Sequence, residues 1–305
     1  MFNCIRNAGA ASLILGMLAT APAHSADIEI KTPRGMAELP STPAKIAVMD
    51  ITALDTIDLL GVKPVGVPER LYVDYLKDLG DDAQKTGSLF QPDFEAIHAL
   101  QPDLVVVGGR SSKQYDAMTK IAPTIDMTVW GEDIIGQAKA RLAAYGALFG
   151  KEKDAKTHLA AFEAKIAEAK NTVKDKGNAL IILTNGPKIS AYGASGRFSW
   201  LHEAIELPEA IKNVEEATHG EAVSFEFIRE ANPDWLIVID RSAAVGNKGV
   251  TAKETLNNAL IHDTKAWESN QIVYLDAANI YIASGGIQSM TNTLDEIITA
   301  FGKAQ

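Results

Sequence analysis

An eighteen-residue segment of this chain occurs twice, and the repeat limits the folds that the chain can adopt. The copies begin at Phe94 and Phe225 and read FEAIHALQPDLVVVGGRS and FEFIREANPDWLIVIDRS. Aligned without a gap, they share Phe, Glu, Ile, Pro-Asp, one Val and the closing Arg-Ser. One copy in each half of a 305-residue chain predicts two similar lobes, each large enough for its own hydrophobic core.

Each copy predicts a short helix followed by a buried strand. Asp93 and Ser224 occupy equivalent N-cap positions, where a side-chain oxygen accepts hydrogen bonds from free backbone N–H groups of the first turn. Pro-Asp then interrupts the helical pattern, and the apolar runs 104–107 and 235–239 are typical of strands buried on both faces of a sheet.

Each predicted strand is followed by an arginine, Arg110 in the first copy and Arg241 in the second. In open parallel α/β sheets the carboxyl ends of the strands border the ligand crevice, so a cleft between two such lobes can direct both guanidinium groups at one anion. The alternative is that each arginine is an ordinary surface ion-pair partner. Their equivalent places in a repeat favour the shared anion site.

The whole pattern predicts an α/β fold with two similar Rossmann-like lobes, residues 27–150 and 178–305, joined by a helix over residues 151–177. The linking segment is rich in Ala, Lys and Glu, and it contains no Gly or Pro between residues 151 and 176. One helix of about 24 residues would be about 36 Å long. The sequence therefore predicts a rigid connection, with the ligand cleft between the lobes.

The first 26 residues have the pattern of a secretory signal peptide. Arg6 is their only charged residue, and an apolar stretch leads to small residues that allow cleavage after Ala23 or Ala26. Cys4 precedes the apolar stretch, so it is not a lipid-attachment cysteine, and the mature chain has no thiol for a disulfide. We expect a periplasmic protein that is neither lipid-anchored nor stably inserted in the membrane.

Charge and motif content exclude several functional classes. The net charge of −10 argues against nucleic acid and anionic lipid as partners. The sequence has no nucleophile elbow, zinc-protease motif or phosphate-binding loop, so it nominates no catalytic residue, and we predict that the protein is not an enzyme. A secreted hydrolase that uses His219 and a serine without a recognisable motif is the alternative from another class.

Three further residues are candidates for a ligand site. Arg197 lies in the glycine-rich stretch GASGRFSW, His219 in a loop before the second copy, and Tyr281 in the predicted loop IYIASGG. Phenolate and imidazole are suitable donors for ferric iron, but two protein ligands do not fill an octahedron. A chelator would have to supply the other donors, and its anionic oxygens would face the arginines.

Ordinary structural roles for these three residues stay open at this point. Arg197 can belong to a simple turn before the next helix, which is predicted to begin near Ser199. A lone loop histidine such as His219 is usually exposed to solvent, and Tyr281 can be a rim aromatic. The sequence also predicts that residues 241–249 form a loop.

The repeat also contains an equivalent pair of glutamates, Glu95 and Glu226. Each lies in the first turn of its predicted helix, where a negative charge is stabilised by the helix dipole. The alternative is that one carboxylate per lobe is presented to a two-fold partner with basic pockets.

The signal peptide, two similar lobes and unbroken linking helix together resemble the solute-binding proteins of bacterial ABC importers for ferric siderophores and vitamin B12. Essentially the whole mature chain is covered, and the segments GGRSSK, GASGRFSW, VIDRS, THGEAVSFE and IYIASGG are most similar to ferric catecholate binders. The resemblance implies that Arg110, Arg197 and Arg241 contact the catecholate oxygens. It also implies that His219 and Tyr281 complete the iron coordination when the siderophore supplies too few donors.

The same resemblance implies that Glu95 and Glu226 dock on the permease, and that iron arrives with the siderophore as transported ligand, without an intrinsic cofactor. Several relatives are lipid-anchored, whereas this chain lacks the required cysteine, so a freely diffusing periplasmic monomer is expected. The predicted function is to capture a ferric siderophore, of catecholate or mixed catecholate type, and deliver it to an inner-membrane ABC permease. The alternative within the same fold is a heme or cobalamin carrier with Tyr281 and His219 as axial ligands.

Overall fold

The computed structural model describes residues 28–39, 42–212, 214 and 220–303. The predicted signal peptide and His219 lie outside these residues. Within the described part of the chain, no helix combines the length and the apolar character needed to cross a bilayer.

The first lobe is built on a five-stranded parallel sheet. The strands of this lobe are β1 (Ile28–Thr32), β2 (Gly35–Leu39), β3 (Ile46–Val48), β4 (Gly66–Val67), β5 (Gln84–Lys85), β6 (Leu104–Val107) and β7 (Thr124–Asp126). Its helices are α1 (Ile51–Leu59), α2 (Leu79–Asp82), α3 (Phe94–Leu100), α4 (Tyr115–Met118) and α5 (Ile134–Leu148), with short 3-10 helices at Asp74–Leu76 and Ser112–Gln114. The strand order is β5-β4-β3-β6-β7, while β1 and β2 form a separate antiparallel hairpin.

The second lobe follows the long helix α6 (Glu152–Val173) and contains a mixed sheet. Its strands are β8 (Ala179–Asn185), β9 (Lys188–Tyr192), β10 (Glu221–Val223), β11 (Trp235–Asp240) and β12 (Ile272–Tyr274). The helices are α7 (Trp200–Ile205), α8 (Phe225–Ala231), α9 (Arg241–Ala244), α10 (Ala252–Thr255), α11 (Ala259–His262), α12 (Lys265–Glu268), α13 (Ala277–Tyr281) and α14 (Ile287–Lys303). The strand order is β10-β9-β8-β11-β12, in which β8, β11 and β12 are parallel and β9 is antiparallel to both of its neighbours.

The repeated segment forms the same unit in both lobes, as predicted. The side chains of Asp93 and Ser224 each accept a hydrogen bond from the backbone N–H three residues further on and so cap α3 and α8. Both helices end at a residue in the left-handed conformation, Gln101 and Asn232, directly before the repeated Pro-Asp. The strands that follow, β6 and β11, occupy equivalent places in the two sheets. The carboxyl ends of these strands then deliver Arg110 and Arg241.

The predicted linking helix is present as α6, within the range 151–177. At the standard rise per residue its 22 residues span about 33 Å. Its buried positions, Ala155, Phe162, Ala169 and Val173, form one stripe along the helix, and it packs against α5, α7 and α14. Packing along much of its length is expected to hold the helix as one rigid body. The division of the chain into lobes at residues 150 and 178 stays a prediction.

The C-terminal helix α14 belongs to the second lobe and packs against α6 and also against α1 of the first lobe. It therefore provides a second connection between the lobes. The buried carboxylate of Asp55 in α1 accepts hydrogen bonds from the backbone N–H groups of Gln288 and Ser289, both at 2.8 Å, and from the Tyr75 hydroxyl at 2.5 Å. Burial raises the pKa of Asp55 to about 7, although these three donors lower it. The first turn of α14 is thus capped by a side chain from the first lobe.

Several local predictions were wrong. The segment predicted as a loop over 241–249 begins with α9, which Asp240 caps through a hydrogen bond from the N–H of Ala243. Tyr281 is the last residue of α13, a helix capped by Asp276, and does not lie in a loop. Strand β9 and the hairpin of β1 and β2 were not predicted. Elements of four or five residues are too short to show a helical or alternating period.

Candidate functional site

Three arginine side chains converge on one tyrosine, Tyr281, between the two lobes. The Arg110 guanidinium donates to the backbone oxygens of Tyr281 and Ile282, at 3.0 and 3.3 Å. Arg197 donates to the same Tyr281 oxygen, and Nε of Arg241 donates to the Tyr281 hydroxyl at 3.0 Å. The three Cζ atoms lie 5.6, 4.1 and 5.7 Å from the centre of the Tyr281 ring. The structure therefore brings together four of the residues that the sequence nominated.

The three members of this arginine cluster, Arg110, Arg197 and Arg241, lie in different parts of the fold. Arg110 follows β6 in the first lobe and reaches across to α13. Arg241 is the first residue of α9, directly after β11, and Arg197 lies in the loop before α7. Tyr281 ends α13, whose first turn is fixed by Asp276. The cluster thus exists only when both lobes are in place.

The electrostatics of the cluster favour an anion. Among the described residues, none of the three arginines forms an ion pair with an Asp or Glu. Burial and the positive charge of Arg110 lower the pKa of Arg197. Burial alone would raise the pKa of Tyr281, but the guanidinium groups of Arg197 and Arg241 outweigh it, and the pKa lies below its ordinary value. The site therefore stabilises negative charge, including that of the Tyr281 phenolate itself.

Two glycines let the loop that carries Arg110 pass close to a buried carboxylate. A Cβ on Gly108 would lie 2.9 Å from Cγ of Asp50, and Gly109 has a positive φ of 46°. Burial raises the pKa of Asp50 to about 6, while a hydrogen bond from Ala53 and the charge of Arg110 lower it. The glycine pair thus belongs to the geometry of the site, and the sequence alone did not reveal its neighbour Asp50.

The unpredicted hairpin of β1 and β2 supports the same loop. Nε of Arg34, in the turn of the hairpin, donates to the Asp126 carboxylate at 2.8 Å, and its Nη2 donates to the backbone oxygen of Ser112 at 2.9 Å. Its Cζ lies 4.3 Å from the centre of the Tyr115 ring. Arg34 therefore fixes the segment after Arg110 and is not available to a ligand.

Aromatic side chains surround Arg197. Its Cζ lies 5.7 Å from the centre of the Trp130 ring and 5.3 Å from that of Phe198. Tyr192 packs edge-on against Phe198, with ring centres 4.7 Å apart. Sequence reasoning missed Trp130 and Tyr192, because no local pattern distinguishes an aromatic at a cleft from one in a core.

A fourth arginine, Arg70, joins the two lobes. It lies in the segment after β4, and its guanidinium packs so closely on Gly246 that a Cβ there would lie 1.7 Å from Nη2. Its Cζ also lies 4.8 Å from the centre of the Tyr72 ring, and Tyr72 has a positive φ of 64°. The side chain thus contacts the segment that follows α9, the helix that begins with Arg241.

The remaining predicted residues lie elsewhere or outside the described chain. Glu95 and Glu226 are exposed and occupy the same position in the first turns of α3 and α8, away from the arginine cluster. His219 is not among the described residues, but Gly220 is, and a Cβ on Gly220 would lie 2.8 Å from the Tyr192 ring. No three His, Cys, Asp or Glu side chains come together as a metal site in the described ranges.

Two cavities lie away from the arginine cluster. One, of about 240 Å³, lies beside Tyr75 and is lined by Asp58, Lys63, Asp78 and Asp82 among others. The other, of about 290 Å³, lies between α6 and α14 and includes His158. Neither contains a predicted ligand residue. We therefore place the candidate site at the arginine cluster on its charge and its hydrogen bonding.

Comparison with known proteins agrees with this fold. The chain is 36% identical over 264 residues to the petrobactin-binding protein YclQ of Bacillus subtilis, covering 85% of this chain and 83% of the relative. It is 29% identical over 274 residues to the ferric-anguibactin-binding protein FatB of Vibrio anguillarum, covering 88% and 85%. The crystal structure of YclQ superposes with a TM-score of 0.85 at 34% identity, over 91% of this chain and 99% of that one.

A second solved structure, the periplasmic catecholate-siderophore binding protein VctP of Vibrio cholerae, superposes with a TM-score of 0.82. Its identity is 31%, and the match covers 89% of this chain and 99% of VctP. The sequence profile described as "Periplasmic binding protein" matches residues 46–278, which include both sheets and the arginine cluster. The chain belongs to the periplasmic binding protein family, and it is a binding protein rather than an enzyme.

Proposed function

We propose that this protein captures a ferric siderophore of catecholate or mixed catecholate type and delivers it to an inner-membrane ABC permease. One observation carries the proposal: the guanidinium groups of Arg110, Arg197 and Arg241 meet at Tyr281, and among the described residues none of them forms an ion pair with an Asp or Glu. A chain with a net charge of −10 thus concentrates positive charge at one place. At ~6 Å and an effective dielectric near 20, each charge pair with an anionic ligand contributes roughly 3 kcal/mol before desolvation.

The ligand class is supported by the names of the relatives and by the surroundings of the arginines. YclQ, FatB and VctP are named for petrobactin, ferric anguibactin and a catecholate siderophore. Catecholate oxygens carry the negative charge that guanidinium groups bind, and the aromatic neighbours of Arg197 suit a ligand with aromatic rings. The positive charge of the arginines and the aromatic rings beside Arg197 thus fit the same kind of molecule.

Iron coordination by the protein is part of the proposal. The lowered pKa of Tyr281 favours a phenolate, which is an oxygen donor for ferric iron. We propose His219 as a second donor, because it precedes Gly220 in the sequence and Gly220 contacts Tyr192 beside the cluster. These donors would act when the siderophore leaves coordination positions of the iron unfilled.

The proposed place of action is the periplasm, in keeping with the family, and the proposed partner is an ABC permease. The linking helix α6 and the contact of α14 with α1 join the lobes at two places. We therefore propose that the ligand binds with little closure of the lobes. The unanchored and monomeric state expected from the sequence stays a prediction.

Direct titration tests the proposed function. The mature protein is titrated with ferric catecholates, ferric citrate and heme, and tryptophan fluorescence and the heme Soret band are recorded. We expect saturable quenching with a ferric catecholate, and weaker binding at higher ionic strength because part of the attraction is electrostatic. A Soret shift with heme, together with no response to any ferric catecholate, would replace the siderophore by heme as the ligand.

Tyr281→Phe should remove a phenolate-to-iron charge-transfer band from the complex with a tetradentate ferric catecholate. The hydroxyl that Arg241 contacts is then absent, so the iron has no phenolate donor. With a hexadentate chelator the iron is already saturated, and the spectrum should change little. Visible absorption spectra of the two complexes provide the measurement.

Tyr192→Phe is the matched control, because Tyr192 lies close by but burial raises its pKa to about 12. The charge-transfer band of the iron complex of Tyr192→Phe should remain unchanged. A band of full intensity in Tyr281→Phe would show that Tyr281 does not bind the iron.

Glu95→Ala and Glu226→Ala should abolish siderophore-dependent iron uptake without changing ligand affinity. Both side chains are exposed on the first turns of helices at equivalent places in the two lobes. Two separated carboxylates fit a permease that recognises both lobes at once. Iron uptake in cells, and affinity of the purified variants, give the two readouts.

Glu203→Ala is a control for the loss of an exposed acidic side chain in the first turn of a helix, since Glu203 lies in α7. Uptake with this variant should be normal. Normal uptake with Glu95→Ala and Glu226→Ala as well would leave stabilisation of the helix dipole as the role of both glutamates.

A further inference from the structure

Trp130 differs from the other tryptophans in its exposure. Its relative exposure is 48%, whereas Trp200 and Trp235 are 1% and 2% exposed. Trp267 is half-buried and stacks on His262, with ring centres 4.0 Å apart. A single exposed aromatic is common on a protein surface, so exposure alone does not assign a role.

The backbone of Trp130 is held on both sides by one side chain. Its N–H donates to Oε1 of Gln137 in α5 at 3.1 Å, and its carbonyl oxygen accepts from Nε2 of Gln137 at 2.8 Å. Nε2 also donates to the backbone oxygen of Glu132. The preceding residue, Val129, packs so closely on Gly285 that a Cβ on Gly285 would lie 2.8 Å from Cγ1 of Val129. The exposed indole therefore has a fixed support.

The indole of Trp130 lies beside Arg197 of the candidate site. The Cζ atom of Arg197, which comes from the second lobe, is 5.7 Å from the centre of the Trp130 ring. Trp130 itself follows β7 in the first lobe, so this contact crosses the cleft. Arg197 also contacts Tyr281 at 4.1 Å, so any anion bound by its guanidinium lies beside the indole.

We propose that Trp130 packs against an aromatic ring of the bound ligand while Arg197 binds the oxygen atoms of that ring, and so selects aromatic over aliphatic iron chelates. An offset or edge-on pair of aromatic rings gains stability beyond the area that it buries. An aliphatic carboxylate or hydroxamate chelate offers the same anionic oxygens without a ring. The inference rests on the proposed function and adds a selectivity residue to it.

The test compares two ferric complexes on four proteins: wild type, Trp130→Ala, Trp130→Phe and Trp267→Phe. Affinity for a ferric catecholate and for ferric citrate is measured by equilibrium dialysis with radioactive iron, which does not depend on fluorescence. Trp130→Ala should bind the ferric catecholate about ten-fold more weakly and ferric citrate within about two-fold of wild type. Trp130→Phe should retain most of the affinity, because it keeps a ring.

Gln137→Ala tests the support of the indole, since it frees the backbone of Trp130 without altering the ring. We expect a smaller loss, about three-fold, for the ferric catecholate alone, and no further loss when it is combined with Trp130→Ala. Fluorescence adds a second readout, in which Trp130→Phe should lose more of the quenching by a ferric catecholate than Trp267→Phe.

Different results would contradict the selectivity role of Trp130 and the proposed function. Unchanged catecholate affinity in Trp130→Ala, or an equal loss for both ferric complexes, overturns the selectivity role. Wild-type protein that binds no ferric catecholate overturns the proposed function, and with it this inference.

Discussion

Replacement of Arg197 by glutamine should weaken the binding of a ferric catecholate by about 2 to 4 kcal/mol, or roughly 30- to 700-fold. Arg197 is the guanidinium nearest to the Tyr281 ring, and it is partly buried among aromatic side chains. An anionic ligand that loses this partner would keep a poorly compensated charge in the site. Arg110→Gln and Arg241→Gln should each cost about 1 to 3 kcal/mol. Dissociation constants from direct titration provide the comparison.

Arg229→Gln is the matched control, because Arg229 is exposed on α8 and outside the cluster. It should bind like the wild type. The melting temperature of ligand-free Arg197→Gln should stay the same or rise, because burial and the charge of Arg110 both oppose the charged form of Arg197. Wild-type affinity in all three arginine variants would contradict an anion site at Tyr281.

Asp55→Ala should lower the free energy of unfolding by about 3 to 5 kcal/mol at pH 5. The variant leaves the N–H groups of Gln288 and Ser289 and the hydroxyl of Tyr75 without their acceptor. The two N–H groups belong to the first turn of α14, so both helix capping and a contact between α14 and the first lobe are lost. Denaturant unfolding monitored by circular dichroism gives the value.

The effect of Asp55→Ala should also depend on pH. Burial raises the pKa of Asp55 to about 7 from an ordinary value of 3.8. Between these values the folded protein binds a proton that the unfolded chain has lost, so this contribution to stability declines as the pH rises towards 7. The difference between wild type and variant should therefore be largest near pH 4 and smaller at pH 8.

Asp58→Ala is the control in the same helix, because Asp58 accepts a hydrogen bond from the Gln288 side chain at 3.0 Å. It should cost about 1 kcal/mol or less. If Asp55→Ala costs no more than Asp58→Ala at every pH, Asp55 does not cap α14 in solution.

Local signals in the sequence were enough to predict the central unit of each lobe. The caps Asp93 and Ser224 and the runs that became β6 and β11 depend on side-chain type and short-range spacing. Because β-α-β connections are right-handed, these elements can then be arranged in only a few ways. The positions of Arg110 and Arg241 after these strands followed from the same pattern.

Short elements and long-range contacts were not predictable in this way. Helices α9 and α13 have four and five residues, so they present no period, and Tyr281 was wrongly expected in a loop. Strand β9 follows a two-residue turn after β8, and its antiparallel pairing depends on a neighbour rather than on its own sequence. Trp130 and Asp55 gained their importance from partners more than sixty residues away in the chain.

The sequence by itself determined the duplication, the long helix that links the halves, and the arginines at the ends of equivalent strands, because these follow from residue type, periodicity and repetition. Only the tertiary structure decided that Arg110, Arg197 and Arg241 meet at one tyrosine, that Trp130 lies over Arg197, and that Asp55 caps α14. Each of these contacts joins residues that are far apart in the sequence, and those of Arg110, Trp130 and Asp55 also cross from one lobe to the other. Their distances depend on how the elements and the lobes pack, and no local pattern encodes that packing.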